Sequence, residues 1–307
     1  MLAYITRRLV QTVITLLLAS IAVYGAMQLV PGDPVYAMFF PNIPSKERIQ
    51  SIREQLGLND PFHIRYWNWI KGVFHGNLGK SFKQDRPVTD ILVQHIPPTV
   101  RLAISGLIIS VGIGIPGGVI AGVTESEFVD NFVMFFALLG ISAPSFWLGL
   151  ILMLVFSLYL GWLPTSGSGS IQTLILPAFT LGLYGAGYLA RFARSSVLEV
   201  KHKDHVRTAR SKGLKELKVI TSHVFRNAMI PILTMSGLLM GYYLGGAVIV
   251  EAVFGRPGIG HQLVRAISNK DFPLVQGLIL FTVSVFVFMN LVIDISYAYI
   301  DPRIRYD

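Results

Sequence analysis

The 307-residue chain contains no cysteine, so it can form neither a disulfide bond nor a thiolate metal site. It is also poor in charge. Charged residues make up 14% of the chain, whereas a soluble domain carries about 25%. So little polar material cannot cover a water-facing surface, which excludes an ordinary soluble domain. Apolar residues instead make up 52% of the chain and gather in long blocks, which is typical of a membrane protein.

Six apolar segments are long enough to cross a hydrocarbon layer of about 30 Å, which takes about 20 helical residues. These segments are 9–30, 102–123, 132–163, 174–190, 228–250 and 273–293. The first is longer than the apolar region of a secretory signal, so we interpret it as an uncleaved anchor. The third exceeds one crossing and contains Pro144, so we expect a tilt or a kink there. The predicted fold class is an all-α polytopic membrane protein with six transmembrane helices.

None of these six segments contains Asp, Glu, Lys, Arg or His. Ion-coupled transporters keep such residues in the membrane as relays or ion ligands, and an intramembrane enzyme needs an acid, a base or a nucleophile. The absence argues against both classes. Asp294 lies nearest, directly after the last segment, where a structural partner fits better than a coupling role. Any energy that the function of the chain requires is therefore expected to enter from outside the bilayer.

The net charge of +9 comes mainly from one connection, residues 190–227, which hold ten Lys and Arg against three acidic residues. Short cytoplasmic loops collect Lys and Arg, so this loop is predicted to be cytoplasmic, and counting segments places both termini there too. Basic residues near both ends agree: Arg7, Arg8, Arg303 and Arg305. The acidic connection 124–131 is an exception. The charge indicates membrane topology rather than a nucleic-acid partner.

Residues 31–98 are too many for a plain connection, so we expect an external subdomain between the first two transmembrane helices. Within it, the pattern of 45–57 predicts a short amphipathic helix that begins at a capping serine and ends at a glycine. The aromatic residues of 66–69 suit a helix at the lipid interface. The predicted organisation is therefore an anchor helix with an external subdomain over 1–98, and a core of five transmembrane helices over 99–307.

Two glycine-rich stretches resemble nucleotide loops only in part. In residues 76–81 the first glycine of a phosphate loop is missing, because Phe74 stands at its position. Residues 255–260 show no strand and helix around a dinucleotide loop, so we interpret them as a tight turn between the last two segments. His202 and His205 lie three residues apart on the basic loop, where a solvated face fits better than a metal site.

Glycines recur every four residues in two segments. They are Gly114, Gly118 and Gly122 in the second segment and Gly237, Gly241 and Gly245 in the fifth. This spacing lets helix backbones approach closely in lipid. Packing within the chain and contact with a partner subunit both fit, and the fifth segment is the better candidate for a partner contact.

The basic loop contains apolar residues near helical spacing, with cations opposite them. They are Val206, Ala209, Leu214, Leu217 and Ile220. Gly213 interrupts this pattern and predicts a bend between two short helices. An amphipathic element held between two membrane helices could dock in a groove of another protein or lie on the membrane surface, and the pattern alone leaves both open.

The same loop resembles the coupling motif of permease subunits in bacterial ABC importers. That motif has a Glu-Ala-Ala triplet, then a glycine, then an apolar residue followed by proline. Here Arg207, Thr208 and Ala209 occupy the triplet, Gly213 the glycine, and Ile230 with Pro231 the ending. The missing Glu and first Ala are typical of the dipeptide, oligopeptide and nickel branch. Other stretches resemble that branch in order along the chain: 31–34, 56–61, 79–82, 163–165, 194–196, 226–228, 257–260 and 301–303.

The resemblance implies a permease of the bacterial inner membrane. Its implied partners are a second homologous permease subunit, two ATP-binding cassette subunits, an extracytoplasmic solute-binding protein and membrane lipid. The implied contacts with the ATPase subunits lie in the loop 199–226: Asp204, Arg207, Thr208, Ala209 and Gly213. No catalytic residue, metal or cofactor is expected on this chain, since ATP and Mg would be bound by the ATPase subunits.

The favoured function is import of dipeptides or oligopeptides. Nickel, another metal chelate or glutathione are alternatives within the same family. An ion-coupled secondary transporter is a distant alternative. Residues that line the pathway are not predicted, because the sequence does not tell which helix faces meet the lumen.

Overall fold

The computed structural model describes residues 2–30, 34–39, 44–55 and 57–300. Its α-helices in chain order are α1 (Leu2–Leu29), α2 (Pro34–Phe39), α3 (Lys46–Gln55), α4 (Phe62–Phe74), α5 (Val88–Val123), α6 (Glu127–Ser142), α7 (Ser145–Met153), α8 (Gln172–Lys201), α9 (Asp204–Ser211), α10 (Glu216–Val219), α11 (Arg226–Gly246), α12 (Val248–Val253), α13 (Ile259–Ser268) and α14 (Phe272–Ile300). Two π-helical turns, Leu154–Tyr159 and Ile220–Phe225, follow α7 and α10. These residues contain no strand, only an isolated antiparallel bridge between Lys80 and Pro87. The all-α prediction is confirmed. The stretch 31–33 and the basic tail from residue 301 lie outside the described residues.

Five helical stretches are long and apolar enough to cross a membrane. They are Tyr4–Leu29, Val88–Val123, Gln172–Lys201, Glu216–Gly245 and Phe272–Ser296. They contain the five predicted segments other than the third almost completely, although most of them extend further. The predicted domain boundary at residue 98 falls inside α5, which runs without interruption from Val88 to Val123, so both predicted regions share this helix.

The third predicted segment, 132–163, is not one kinked helix. It consists of α6 and the stretch Ser145–Tyr159, which are bent by 103° relative to each other. Pro144 explains the break, since proline offers no backbone N–H and pushes the preceding residue out of the helical region. Ala143 is extended, with ψ at 125°. A sixth span exists if this bent pair crosses the membrane as one unit.

The centre of the chain is the pairing of α5 with α8. The glycine row of α5 faces α8, and a Cβ atom at Gly114 or Gly118 would overlap the backbone of Ala186 or Ala190. Close approach of this kind replaces the hydrophobic effect as the source of helix association in lipid. The row in the second segment therefore packs within the chain.

The glycine row of the fifth segment also packs within the chain. Gly237 faces Ile293 and Gly241 faces Met289, both on α14. Of the two alternatives, packing within the chain accounts for this row, because α14 already covers it. On its other side α14 packs against α1, where Arg8 forms an ion pair of 3.1 Å with Asp294. Asp294 thus has the structural partner that its position suggested.

The segment between α1 and α5 contains the predicted short helix, α3, which begins after Ser45 and is followed by Gly57 at a φ of +63°. The aromatic residues of α4 are divided between two environments. Tyr66 and Trp69 pack against Tyr24 of α1, with ring centroids 5.7 and 5.2 Å away. Trp67 is 58% exposed. Packing on α1 therefore accounts for part of an aromatic pattern that suggested only lipid contact.

Candidate functional site

The basic loop 199–226 is a compact helical connection between two membrane helices. It contains α9, a turn at 212–215, the short α10 and the π-helical turn that leads into α11. Gly213 stands at the bend with a φ of +74°, and its N–H donates to the carbonyl oxygen of Arg210 at 2.9 Å. Left-handed backbone is accessible to glycine at little cost. The predicted bend between two short helices is confirmed.

One face of this loop is anchored in the chain's own core. Val206 and Val219 are completely buried, and Ala209 is 5% exposed. All three belong to the main apolar cluster, which also contains residues of α5 and α8. Of the apolar positions in the predicted pattern, Val206 and Ala209 are therefore directed inward, and Leu214 packs partly buried against the same cluster. Leu217 is 74% exposed.

An ion pair closes the turn around Gly213. Arg210 donates from Nη2 to Oε1 of Glu216 at 2.7 Å and from Nε to Oε2 at 3.1 Å. This two-point contact raises the pKa of the Arg210 guanidinium above its usual value, chiefly through the hydrogen bonds to Glu216. Because the partners belong to α9 and α10, the pair connects these two helices across the bend.

Two further contacts connect the loop region to neighbouring helices. The Nζ of Lys201 donates to the carbonyl oxygen of Val123 at 2.9 Å, at the end of α5. Arg194 of α8 forms a two-point ion pair with Asp130 of α6. The acidic connection 124–131 therefore lies beside basic residues of α8, which explains why it can lack basic residues of its own.

The structure divides the five predicted coupling residues into three groups. Asp204, Arg207 and Thr208 are exposed on the outer face of α9. Ala209 is buried under them, so it holds α9 in place rather than offering a contact. Gly213 is exposed, and a Cβ built on it would meet no atom within 4 Å. Its contribution is the backbone conformation of the turn.

Sequence reasoning missed three residues of this surface: Arg210, Glu216 and Leu217. The opposite charges of Arg210 and Glu216 flank the helix-breaking glycine, and this arrangement is a readable signal for a pair that closes the turn. Leu217 shares the spacing of the buried apolar residues, so its exposure could not be read from the sequence. It gives the outer surface an apolar contact point beside the charged ones.

A second polar cluster lies at the opposite ends of the helices, around Glu251. Its carboxylate is fully buried and accepts hydrogen bonds from Thr99 Oγ1 at 2.6 Å, the N–H of Gly260 at 2.8 Å and the N–H of His261 at 3.2 Å. Burial raises the pKa of this carboxyl above its usual value, and these hydrogen bonds act against the rise. The carboxylate joins α5 and α12 to the N-terminus of α13. The predicted tight turn at 255–260 is thus the connection between α12 and α13.

The stretch 76–81 that resembled a phosphate loop has a structural role. Ser81 Oγ donates to the buried carboxylate of Asp271 at 2.5 Å, and the N–H of Phe82 donates to the same group at 3.1 Å. Lys80 pairs with Asp85 at 2.7 Å. The contacts of Ser81 and Phe82 attach the segment between α1 and α5 to the start of α14, and the Lys80–Asp85 pair lies within the segment.

The histidines of the loop show no sign of a metal site. His205 lies 3.4 Å from the side-chain amide of Asn227. No group of three or more His, Cys, Asp or Glu residues in the described part of the chain could hold a metal ion.

Residues 114–306 match the protein family described as binding-protein-dependent transport system inner membrane component, and residues 1–103 match the N-terminal family of the same systems. Two relatives align over their whole length and over all of this chain. One, from Brucella abortus, is 41% identical and is provisionally named a peptide transport system permease protein. The other, 42% identical, is the glutathione transport system permease protein GsiC of Salmonella typhimurium.

Two solved structures share the fold. One is the MetNI methionine ABC transporter in an inward-facing conformation, with a TM-score of 0.52 and 17% identity over 66% of this chain and 94% of the matched one. The other is an amino acid ABC transporter, with a TM-score of 0.52 and 16% identity over 66% of this chain and 92% of the matched one. At these identities the likeness concerns the architecture of the membrane subunit.

Proposed function

Because the chain belongs to the inner membrane components of binding-protein-dependent transport systems, a family of multi-pass inner-membrane proteins, we propose that it is a non-catalytic permease subunit of an ATP-driven peptide importer. The observation that carries this proposal is the loop 199–226. It is continuous with α8, leads through a π-helical turn into α11, and is closed by the Arg210–Glu216 pair. A rigid element of this kind transmits force to two membrane helices at once.

The loop would be cytoplasmic, as the ten basic residues of the connection 190–227 indicate, and would sit in a groove of an ATP-binding cassette subunit. Asp204, Arg207 and Thr208 would contact the groove, since they are the exposed members of the motif. Ala209 would hold α9 against the core, and Gly213 would set the bend. ATP and Mg would be bound by the ATPase subunits and not by this chain.

The complete importer would contain a second homologous permease subunit, two ATPase subunits and a solute-binding protein on the outer face. The pathway would lie between the two permeases. Closure of the ATPases would move the permeases between inward- and outward-facing states as rigid bodies.

Peptides are the favoured cargo, because the Brucella relative is named for peptide transport and matches this chain from end to end. Glutathione is a second candidate, supported by the similarly full-length match to the Salmonella permease. The two are chemically close, since glutathione is itself a tripeptide. Competition for uptake of a labelled dipeptide separates them. Unlabelled dipeptide and unlabelled glutathione are added at equal concentration in parallel, and the compound that lowers the uptake more is the preferred cargo.

The external segment 31–98 would pack against the binding protein and help to seal the pathway. Its attachment to Asp271 at the start of α14 supports this role, because a movement of the segment would reach a core helix. Deleting 46–86 is expected to abolish uptake and docking of the binding protein while the ATPase subunits stay bound. Normal uptake by the deletion variant would rule this role out.

The first test of the proposed function is purification of the tagged chain from its native membranes in mild detergent. We expect a second permease and ATPase subunits to co-purify, with ATP hydrolysis stimulated by a binding protein loaded with peptide. Recovery of the chain alone, without ATPase activity, would contradict the importer. Uptake driven by an ion gradient without ATP would then support the secondary transporter.

A further inference from the structure

The open face of α8 carries polar side chains at helical spacing. Tyr184, Tyr188, Arg191 and Ser195 follow one another at intervals of three and four residues and are exposed or half-exposed, so they lie on one side of the helix. The opposite side is packed, as Leu189 shows: it is completely buried and faces Gly114 of α5. A helix whose open side faced lipid would carry apolar side chains on that side.

A tyrosine of α11 extends this surface. The ring of Tyr242 stacks on that of Tyr184 with centroids 5.7 Å apart, and Tyr242 is 45% exposed. On α8, the hydroxyl groups of Tyr184 and Tyr188 lie 3.4 Å apart. Tyr243 differs, since it is buried and bonded to Ser110 and to the carbonyl oxygen of Leu181. Tyr243 therefore holds helices together, whereas the other three tyrosines form an open surface, which we call the tyrosine face (Tyr184, Tyr188 and Tyr242).

The tyrosine face lies at mid-depth of the spans. Tyr184 and Tyr188 follow the start of α8 by roughly 18 and 24 Å along the helix, at 1.5 Å per residue. Phenol groups prefer the lipid interface to the hydrocarbon interior. Polar groups at mid-depth face the interior of the bundle or a water-filled cavity. The spans that carry these tyrosines also have the lowest mean hydropathy of the five, 1.4 each, against 1.9 to 2.4 for the other three.

The break between α6 and α7 opens beside the tyrosine face. Ser142, Pro144, Ser145, Tyr184 and Tyr242 share a cavity of about 150 Å³ with four further residues. No side chain caps the start of α7, so backbone N–H groups of its first turn are open to hydrogen bonding. Irregular backbone at membrane depth is tolerated where it is buried in protein or lines a water-filled cavity. The cavity thus combines hydroxyl groups, aromatic surfaces and backbone donors.

We propose that the tyrosine face lines the translocation pathway at mid-depth and binds the backbone of the passing peptide. This inference rests on the proposed function. A phenol hydroxyl can donate to a peptide carbonyl and accept from a peptide N–H, and an aromatic ring offers an apolar surface to any side chain. Contacts of this kind recognise the feature that all peptides share, which suits a pathway for cargo of varied sequence.

Because the chain has no cysteine, single cysteines at this face can be probed in the assembled importer with a charged, membrane-impermeant thiol reagent. Tyr188→Cys and Tyr242→Cys are expected to react in at least one nucleotide state. Leu189→Cys is the matched control, one residue further along α8 on the buried side, and is expected to stay unreactive. Excess dipeptide should slow the reaction at 188 and 242.

Two results would overturn the proposal. If Tyr188→Cys and Tyr242→Cys were as unreactive as Leu189→Cys in every nucleotide state, lipid or a partner helix would cover the face. If they reacted without protection by dipeptide or by tripeptide, the face would be wet but would not bind cargo. The reactivity pattern is informative even if the parent importer fails to transport peptide, so failure of the pathway assignment and failure of the proposed function are distinguishable.

Removal of the hydroxyl alone gives a second readout. Tyr188→Phe and Tyr242→Phe keep the ring and should insert normally. Loss of one hydrogen bond to the cargo is expected to lower peptide uptake by about two- to tenfold, with ATPase subunits still bound. Unchanged uptake by both single variants and by the double variant would show that the hydroxyl groups do not bind the cargo.

Discussion

Substitution of Gly213 tests whether the shape of the loop 199–226 matters separately from its surface chemistry. This residue has a φ of +74°, and a Cβ there would meet no atom within 4 Å. Gly213→Val therefore causes no overlap, and its effect is confined to the backbone. A left-handed conformation costs an ordinary residue about 1–2 kcal/mol, with β-branched residues at the upper end or beyond. A cost of about 2 kcal/mol lowers the population of the native turn by about 30-fold relative to alternatives.

The matched control is Gly213→Asn, because asparagine visits the left-handed region far more readily than valine. Both variants should reach the membrane in normal amount, checked by quantitative blotting. Uptake of labelled peptide, measured with native ATPase and binding-protein partners, should be lost for Gly213→Val and largely kept for Gly213→Asn. Normal uptake by the valine variant would refute the conformational argument. Equal loss in both variants would assign the role to a direct contact at the glycine instead.

The remaining predictions concern three other places in the chain. Arg210→Ala and Glu216→Ala should each lower uptake by less than about fivefold, since the two side chains are 37% and 56% exposed and such pairs contribute at most about 1 kcal/mol. The double variant should lose no more uptake than either single variant. Additive losses would show that the two residues act separately. Gly118→Ala should reduce the yield of folded protein because its Cβ would overlap α8, whereas Gly112→Ala, with nothing within 4 Å, is the tolerated control; equal yields would contradict the packing argument. Glu251→Ala should destabilise the chain by about 2–4 kcal/mol, because it leaves buried donors on α5 and α13 without an acceptor; an unchanged thermal midpoint in detergent would show that the carboxylate is dispensable.

The sequence predicted the features that depend on local pattern. Long apolar runs located five of the spans, since the length needed to cross lipid is fixed by physics. Gly213 predicted the bend, because one residue type dominates left-handed turns. Pro144 predicted an irregularity, although not its size. Whether a proline kinks a helix slightly or divides it by 103° depends on what packs against both halves.

The features that could not be predicted from the sequence depend on contacts between distant parts of the chain. Glu251 stands directly after a span, where an acidic residue usually meets water, and only the fold brings Thr99 and the start of α13 to it. The glycine row of the fifth segment left packing within the chain and a partner contact both open, because spacing shows that a close contact exists but not which helix provides it. The tyrosine face was missed for the same reason, because its residues come from distant parts of the chain. Only the stacking of Tyr242 on Tyr184 shows that they form a continuous surface.

The loop 199–226 and the tyrosine face are connected by α8, which leads into the loop and carries Tyr184 and Tyr188 of the face. Tyr188 lies 13 residues before Lys201, or roughly 20 Å along one uninterrupted helix. The start of the loop is braced to α5 by Lys201 and Val123, and α8 is braced to α6 by Arg194 and Asp130. Glycine packing leaves α5 and α8 no room to slide past each other, since bulky side chains or backbone fill the space where a Cβ would stand. A displacement of α9 should therefore move α5, α6 and α8 together and carry the tyrosine face with them. We therefore expect the exposure of the face to change by rotation of the whole group, without a local rearrangement of Tyr184 or Tyr188.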